Sequence, residues 1–172
     1  MNHILQEDAQ NILQHDISWE KLSGKRILVT GASGMLGSYL SRTILQWKAA
    51  SGTDLELYAL VRHPQKLPED LRDQVKVLQQ SVAEPIQTDV KFDYIIHAAS
   101  PASPLIMRED PVGTVAANTL GAYYTLDLAR KSNAEGYLFI SSREIYGQPY
   151  ENQREFTEDS YGFVDPLSPR SC

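Results

Sequence analysis

The chain has 172 residues, 42% of them hydrophobic and 22% charged, and its formal net charge is −6. At roughly 150 residues per domain this length fits one domain, and the ordinary composition excludes a disordered tail, a collagen-like fibre and a coiled coil. The negative charge argues against a general binder of nucleic acid or anionic membranes, because both partners attract basic surfaces.

The beginning of the chain carries no recognisable targeting segment. It reads MNHILQEDAQ, which is polar and acidic where a signal peptide would be basic and then apolar. No apolar run reaches the roughly 18 residues of a membrane span. The single cysteine, Cys172, permits no intramolecular disulfide, and the four histidines show no metal-ligand spacing. These observations predict a soluble cytoplasmic protein without a metal site.

Residues 1–24 are predicted to form an N-terminal helix and a linker. Four apolar residues would share one face of a helix over residues 4–14, namely Ile4, Leu5, Ile12 and Leu13. We expect this helix to pack on its own domain or on a neighbouring subunit.

From residue 25 onward, apolar runs alternate with helical periods. The predicted strands are Arg26–Thr30, Leu55–Val61, Val75–Leu78, Tyr94–His97 extended by Ala98-Ala99, and Tyr137–Ser141. The predicted helices are Met35–Trp47 and Val112–Lys131. Apolar strands separated by helices indicate a parallel sheet that is buried on both faces. The sequence therefore predicts an α/β fold, a Rossmann-type doubly wound parallel sheet of about five strands with helices on both faces.

The last part of the chain, residues 142–172, shows no evident regular element. Pro149, Pro166 and Pro169 favour a loop. A structureless tail of this length is unusual in a compact domain. We therefore expect residues 25–172 to be an incomplete Rossmann domain.

The strongest motif is a glycine-rich turn between the first strand and the first long helix. It reads Thr30-Gly31-Ala32-Ser33-Gly34-Met35-Leu36-Gly37. The first glycine permits a tight turn, the second lets the backbone approach a diphosphate, and the third lets the helix pack closely on the sheet. The helix N-terminus adds free N–H groups and a partial positive charge. The motif predicts cofactor contacts from Gly31, Ser33, Gly34, Met35, Leu36 and Gly37, with a βα turn that binds nothing as the alternative.

Three further segments, together with this turn, resemble the extended short-chain dehydrogenase/reductase family of nucleotide-sugar epimerases and dehydratases. They are His97-Ala98-Ala99-Ser100, Ala117-Asn118-Thr119-Leu120-Gly121 and Ser141-Ser142-Arg143-Glu144-Ile145-Tyr146-Gly147. Within that family the chain looks most similar to UDP-glucuronate decarboxylases. The two runs that carry this similarity are Ser100–Pro104 and Ser168–Cys172.

The resemblance implies NAD as cofactor, a nucleotide-diphosphate sugar such as a UDP-sugar as substrate, and oxidation at the sugar C4. The residues that it assigns to the cofactor are Ala98, Ala99, Ser100 and Asn118. It places Ser142 against the C4 oxygen and Glu144 in acid/base or positioning steps. On the residues alone, Ser142 could instead cap the strand end and Glu144 could be a solvated carboxylate. Whether the reaction is decarboxylation, epimerisation or dehydration stays open.

The resemblance also implies a homodimer, for which the helix Val112–Lys131 is the candidate face. His97 is expected to be a hydrogen-bonded core residue at a strand end, and Tyr146 is expected to pack with its hydroxyl on a polar partner.

The tyrosine–lysine pair that performs catalysis in this family does not occur in the sequence. None of the nine tyrosines is followed four positions later by lysine. In the family pattern the tyrosine would come directly after Cys172. We therefore interpret the chain as the cofactor-binding N-terminal portion of such an enzyme, inactive alone and without the substrate lobe. The alternative is a non-catalytic dinucleotide-binding or sensor module of the same fold.

Two positions depart from the pattern of an NAD enzyme. The second predicted strand ends in Arg62 and has no carboxylate at its tip, where NAD enzymes usually hold the ribose 2′-hydroxyl. Arg62 could accommodate the 2′-phosphate of NADP, so the choice between NAD and NADP stays open. Ser81 stands where the decarboxylase-like pattern has an aspartate near the adenine.

Overall fold

A five-stranded parallel sheet organises the larger part of the chain. In chain order its strands are β1 (Arg26–Thr30), β2 (Glu56–Val61), β3 (Lys76–Gln79), β4 (Tyr94–His97) and β5 (Gly136–Phe139). They lie in the order β3-β2-β1-β4-β5, and every neighbouring pair is parallel. The predicted Rossmann-type doubly wound α/β fold is confirmed.

The computed structural model describes residues 3–101, 103–165 and 167. Residues 1–139 form one compact unit and residues 140–172 form another. Ala102, within the Ser100–Pro104 run, and the whole Ser168–Cys172 run lie outside the described residues.

The helices of the first unit connect the strands. They are α1 (His3–Leu13), α2 (Met35–Ser51), α3 (Glu69–Arg72), α4 (Pro104–Glu109) and α5 (Pro111–Ser132), with 3₁₀ turns at Trp19–Leu22 and Pro64–Lys66. The predicted bounds of β1 are confirmed. β4 ends at His97, two residues before its predicted end, and β5 begins and ends earlier than predicted. No local pattern indicated α3 and α4, because helices of four and six residues are too short to show a period.

The core lies in two layers, one on each face of the sheet. Alternate strand residues such as Ile27 and Val29 pack with Ile44 and other residues of α2. The intervening residues, including Leu28, pack with the α5 side, where Leu128 is buried. Burial on both faces explains why the strands are continuous apolar runs rather than alternating ones.

Both long helices have ends that their sequences specify. α5 begins with Pro111 after Asp110, whose carboxylate accepts a hydrogen bond from the Gly113 N–H at 2.8 Å. Asn133 ends α5 in the left-handed region at φ 54°, and Gly52 ends α2 in the same way at φ 66°. Asx side chains at the start, and glycine or asparagine at the end, satisfy backbone groups that a helix leaves unpaired.

The predicted N-terminal helix is present as α1, and its predicted apolar face is buried only in part, with Leu5 and Leu13 half-buried. Ala9 is 2% exposed, whereas Ile4 is 61% exposed and Ile12 is 39% exposed. The contact partner of α1 is α2, and the Tyr39 hydroxyl donates to the Asp8 carboxylate at 3.4 Å. Two helices approach closely where a small side chain lies between them, so alanine rather than isoleucine occupies the centre of the contact.

The second unit is held by turns. The 3₁₀ turn Arg143–Tyr146 precedes an isolated antiparallel bridge, in which Gln148 and Phe163 exchange backbone hydrogen bonds of 2.7 and 3.0 Å. Tyr146 stacks on Phe156 with ring centroids 5.3 Å apart, so its aromatic ring packs as expected. Apart from these features, the described residues of this unit contain no regular element, in agreement with the loop prediction.

Among the described residues, no helix has both the length and the apolar character that a bilayer crossing requires. Over the same residues, no group of three or more His, Cys, Asp or Glu side chains is placed to hold a metal ion.

Candidate functional site

A cavity of about 550 Å³ opens at the carboxyl ends of β1, β2, β3 and β4. The strand order reverses between β1 and β4, and open α/β sheets bind ligands at such a reversal. Residues from five segments line it: Gly31, Ser33 and Gly34; Leu60, Val61 and Arg62; Gln80, Ser81, Val82 and Ala83; Ala98, Ala99, Ser100 and Pro101; and Ser103, Ile106, Gly113, Ala116 and Ala117.

The floor of the cavity is the glycine turn. Gly31 has φ 66°, and a Cβ at this position would lie 2.6 Å from the Ala98 carbonyl oxygen. A Cβ at Gly37 would collide with the Gly31 carbonyl oxygen. The turn is therefore tight because both residues lack a side chain, as the motif predicts.

The helix that follows the turn presents its N-terminus without a cap. Gly34 is the N-cap residue, has extended backbone and supplies no side-chain hydrogen bond. The first hydrogen bond of the helix joins the Ser38 N–H to the Gly34 carbonyl at 2.9 Å. The preceding N–H groups, those of Met35, Leu36 and Gly37, have no intrahelical acceptor. Unpaired donors at the positive end of a helix suit a diphosphate, so the residues present fit a dinucleotide.

A buried hydrogen-bond network fixes the loop opposite the turn. The Thr30 hydroxyl oxygen accepts from the Ala98 and Ala99 N–H groups, each at 3.2 Å. It also lies 2.9 Å from His97 Nδ1. Because the oxygen already accepts two bonds, its own proton is directed to His97, which then carries its ring proton on Nε2.

Burial lowers the pKa of His97, which is 2% exposed, and so favours the neutral ring that this network requires. The expectation of a hydrogen-bonded core histidine is confirmed. Thr30 itself was not among the predicted site residues, although its place at the last position of β1 is a signal that could have identified it.

One wall of the cavity is the small-residue face of α5. Gly113, Ala116 and Ala117 line the cavity. Further along the same helix, a Cβ at Gly121 would lie 3.1 Å from the Val82 side chain and 3.4 Å from the His97 ring. Small side chains at this spacing let α5 lie directly on the strand ends.

The structure brings together the predicted residues Gly31, Ser33, Gly34, Arg62, Ala98, Ala99 and Ser100, all of which line the cavity. Met35, Leu36 and Gly37 form the first turn of α2 beside it. Asn118 is exposed on α5 and is absent from the described lining. Of the lining after β3, the family resemblance had indicated only the position of Ser81. The other residues there and the lining from α5 were missed, because they become adjacent only once the strand order is known.

Ser142 and Glu144 belong to the second compact unit. The Ser142 hydroxyl accepts a hydrogen bond from the Glu144 N–H at 3.2 Å and so caps the 3₁₀ turn. The Glu144 side chain is 22% exposed, and one carboxylate oxygen lies 3.7 Å from the Arg143 guanidinium. Ser142 thus has the local capping role that its sequence position allowed, and its hydroxyl proton is available to donate to another acceptor.

A doubly wound sheet with a glycine turn and a cavity at its strand reversal defines a Rossmann-type α/β domain. The family model described as "NAD dependent epimerase/dehydratase family" matches residues 27–171, and the chain belongs to this family.

Curated relatives include one plant enzyme and one animal enzyme. UDP-glucuronic acid decarboxylase 6 of Arabidopsis thaliana is 32% identical over 159 residues, which cover 87% of this chain and 42% of that protein. UDP-glucuronic acid decarboxylase 1 of Danio rerio is 32% identical over 148 residues, covering 86% of this chain and 34% of that protein. The chain therefore spans between a third and about two fifths of the length of these relatives.

Solved structures share the fold. An epimerase from Methanothermobacter thermautotrophicus superposes with a TM-score of 0.72 at 19% identity, over 91% of this chain and 48% of that one. The UDP-Glc/GlcNAc 4-epimerase from Campylobacter jejuni gives a TM-score of 0.67 at 24% identity, over 86% of this chain and 46% of that one.

Proposed function

We propose that this chain binds a nicotinamide dinucleotide in the cavity, with the diphosphate at the N-terminus of α2. The single observation that carries the proposal is the glycine turn, which lines the cavity and leads directly into a helix N-terminus without a side-chain cap. A diphosphate there would accept hydrogen bonds from groups that no other part of the helix satisfies. The family's own description, as NAD dependent, supports the same cofactor class.

Calorimetric titration with NAD⁺, NADP⁺, ADP-ribose and nicotinamide mononucleotide tests this proposal. We expect at least one dinucleotide to bind. ADP-ribose should keep most of the affinity that the chain has for NAD⁺, because it retains the diphosphate and, like NAD⁺, carries no 2′-phosphate. Nicotinamide mononucleotide lacks the diphosphate and should bind much more weakly. Binding of neither dinucleotide would overturn the proposal.

We further propose that the domain serves a nucleotide-sugar epimerase, dehydratase or decarboxylase that acts on a UDP-sugar. The names of the relatives, which are UDP-glucuronic acid decarboxylases, support this substrate class. A bound nicotinamide cofactor supplies a hydride acceptor for oxidation at the sugar C4. In this proposal Ser142 donates a hydrogen bond to the C4 oxygen, and Glu144 moves or holds a proton close to it.

We expect turnover only from a polypeptide that supplies the family's tyrosine–lysine pair, since no tyrosine of this sequence is followed four positions later by a lysine. With such a polypeptide, UDP-glucuronate, UDP-glucose and UDP-galactose would be assayed by product chromatography. Ser142→Ala should lower kcat strongly, whereas the neighbouring Ser141→Ala serves as the matched control. Equal activity of the two variants would contradict the role of Ser142.

A second candidate function is a non-catalytic dinucleotide-binding or sensor module. The local capping bond of Ser142 to the Glu144 N–H favours it, because that bond gives Ser142 a structural use without catalysis. Dinucleotide binding combined with no turnover of any UDP-sugar, even with the tyrosine–lysine pair supplied, would select this function over the enzyme.

We also propose that α5 pairs with a second copy of the chain. A stripe of exposed apolar side chains runs along one face of the helix: Val112, Val115, Tyr123 and Leu126, each at least half exposed. Such a stripe is typical of an interface rather than of a solvated helix. Sedimentation equilibrium should detect a dimer that Val115→Lys dissociates; a wild-type monomer at every concentration would refute the pairing.

A further inference from the structure

The end of β2 places one cation in the cavity. Arg62 directly follows the strand and lines the cavity together with Leu60 and Val61. Its side chain is exposed, and within the described part of the chain its guanidinium makes no hydrogen bond or ion pair. Five N–H donors in a planar fork are therefore available to a ligand.

No carboxylate accompanies this cation. Among the described residues that line the cavity, Arg62 is the one charged side chain. Glu56 lies at the opposite end of β2, where it pairs with Lys76. Asp70, on α3, is held by the Arg42 guanidinium through two hydrogen bonds of 2.8 and 3.0 Å. Neither of these two carboxylates can serve as the hydroxyl acceptor that proteins selective for NAD place at this strand end.

The neighbouring polar groups of the lining are donors or are already paired. The Gln80 amide bonds the Gln87 backbone at both of its ends, at 2.8 and 2.7 Å. The Ser81 hydroxyl accepts from the Ala83 N–H at 3.2 Å, which leaves its proton to donate. A phosphate monoester only accepts hydrogen bonds, so it matches this set better than a ribose hydroxyl that must also donate.

We infer that Arg62 selects the 2′-phosphate of NADP(H) over the 2′-hydroxyl of NAD(H). This inference rests on the proposed function, because it assumes that the cavity holds a nicotinamide dinucleotide. Arg62 is thus a residue that determines cofactor specificity. Its guanidinium binds the phosphate that distinguishes the two cofactors and touches neither the diphosphate nor the nicotinamide. The chain would then differ from the NAD dependence stated in its family's description.

Calorimetric titration of the purified chain with NADP⁺ and NAD⁺ tests the inference without any turnover. We expect NADP⁺ to bind at least about tenfold more tightly, because charge-assisted bonds between guanidinium and phosphate are among the stronger polar contacts. Arg62→Ala should weaken the binding of NADP⁺ about tenfold or more, while the affinity for NAD⁺ should change less than about threefold. Arg62→Asp should reverse the preference by repelling the phosphate and accepting from the hydroxyl.

Arg130→Ala is the matched control. Arg130 is an exposed arginine that pairs with Asp127 near the end of α5, away from the cavity lining. The Arg130→Ala variant should leave the affinities for NADP⁺ and NAD⁺ unchanged. Thermal melts of all variants verify folding, which an exposed substitution should not disturb. As a second measurement, 2′,5′-ADP should compete with NADP⁺ more strongly than 5′-ADP does, and Arg62→Ala should abolish this difference.

Each alternative outcome has a distinct meaning. Equal or tighter binding of NAD⁺ to the wild-type chain would overturn the inference while leaving the proposed function intact. An equal loss of affinity for both cofactors in the Arg62→Ala variant would also overturn the inference, because Arg62 would then bind a group common to both. Binding of neither cofactor would instead contradict the proposed function.

Discussion

The two ends of the same parallel sheet carry different kinds of polar group. At the amino end, charged side chains are paired with one another: Lys25 with Glu135, Arg26 with Glu56, and Lys76 with Glu56. The Tyr94 hydroxyl also donates to Glu135 at 2.9 Å. The two pairs of Glu56 join adjacent strands, and the Lys25–Glu135 pair joins the segments before β1 and β5, which lie on either side of β4.

At the carboxyl end, backbone groups replace paired charges. The Thr30 hydroxyl bonds two backbone N–H groups, Gly31 lies against the Ala98 carbonyl, and Arg62 is unpaired among the described residues. The chain thus pairs its charged side chains at the amino end of the sheet and leaves hydrogen-bond donors unpaired at the carboxyl end. Substitutions at the two ends should therefore affect different properties, as the following experiments test.

The largest effect is expected from Gly31→Ala. Gly31 and Gly52 share a φ of 66°, but a Cβ at Gly52 meets nothing within 4 Å. Gly52→Ala should therefore cost only about 1–2 kcal/mol of backbone strain. Gly31→Ala adds a collision with the Ala98 carbonyl, so we expect a loss of about 3 kcal/mol or more and no detectable dinucleotide binding.

Urea unfolding and calorimetry measure both quantities, and Gly52→Ala serves as the matched control. If the two variants lost stability and affinity equally, the close approach at Gly31 would have no special role in the site.

A smaller loss is expected from Thr30→Val, which removes the hydroxyl that joins the loops after β1 and β4. The Ala98 and Ala99 N–H groups and His97 Nδ1 would lose their partner. Leaving such groups unsatisfied should cost about 2–4 kcal/mol in the free energy of unfolding. Thr30→Ser keeps the hydroxyl and should recover most of the stability and of the cofactor affinity; equal losses in both variants would show that the methyl group matters instead.

The pH dependence of stability should separate the two ends. Burial lowers the pKa of His97 in the folded chain, so the unfolded chain takes up a proton first as the pH falls below about 6.5. Stability should therefore decrease from that pH downward until the lowered pKa is reached. His97→Asn should abolish this decrease in urea unfolding midpoints measured between pH 5 and 8, and a retained slope would contradict its origin in His97.

At the amino end, the hydrogen bond from Lys25 lowers the pKa of Glu135 below its ordinary value. The stabilisation is present above the ordinary pKa of the carboxyl and is lost as the pH falls through the lowered one. Glu135→Gln should accordingly flatten only the acid limb of the profile. A change in the stability of Glu135→Gln near neutral pH would contradict this separation of the two ends.

The smallest effect is expected from Lys76→Met. Lys76 pairs with Glu56 at an exposed position, and exposed pairs contribute little to stability. The urea midpoint should change slightly, less so in high salt, and cofactor affinity should not change. A large loss of affinity would show that the amino end also supports the site.

Much of the fold could be predicted from local sequence. The apolar run of β1 ends abruptly at Gly31, so its bounds were correct to the residue, whereas the alanines after His97 gave β4 no sharp end and its predicted end was two residues too late. The face of α1 was correct only in part: Ile4 and Ile12 are exposed, because the contact with α2 depends on a small residue, Ala9, that hydrophobic periodicity does not weigh. α3 is set by tertiary contacts, with Leu71 buried and Asp70 bound to Arg42.

The site was predictable where one motif contains it. Gly31 and Gly34 lie three positions apart in one motif that carries its own signal, whereas Ser81 and Ala117 meet them only through the strand order. Thr30 illustrates the limit: its three hydrogen-bond partners are 67–69 residues away, and no local pattern indicates them.

The small residues on one face of α5 both line the cavity and let the helix pack closely against the strand ends. Gly113, Ala116 and Ala117 line the cavity, and Gly121 on the same helix rests against the ends of β4 and the segment after β3. A bulkier side chain at Gly121 would lift the helix and widen the cavity, but it would also separate the helix from the core. Any evolutionary change of ligand size through this wall therefore requires compensating change in packing, whereas change through Arg62 does not.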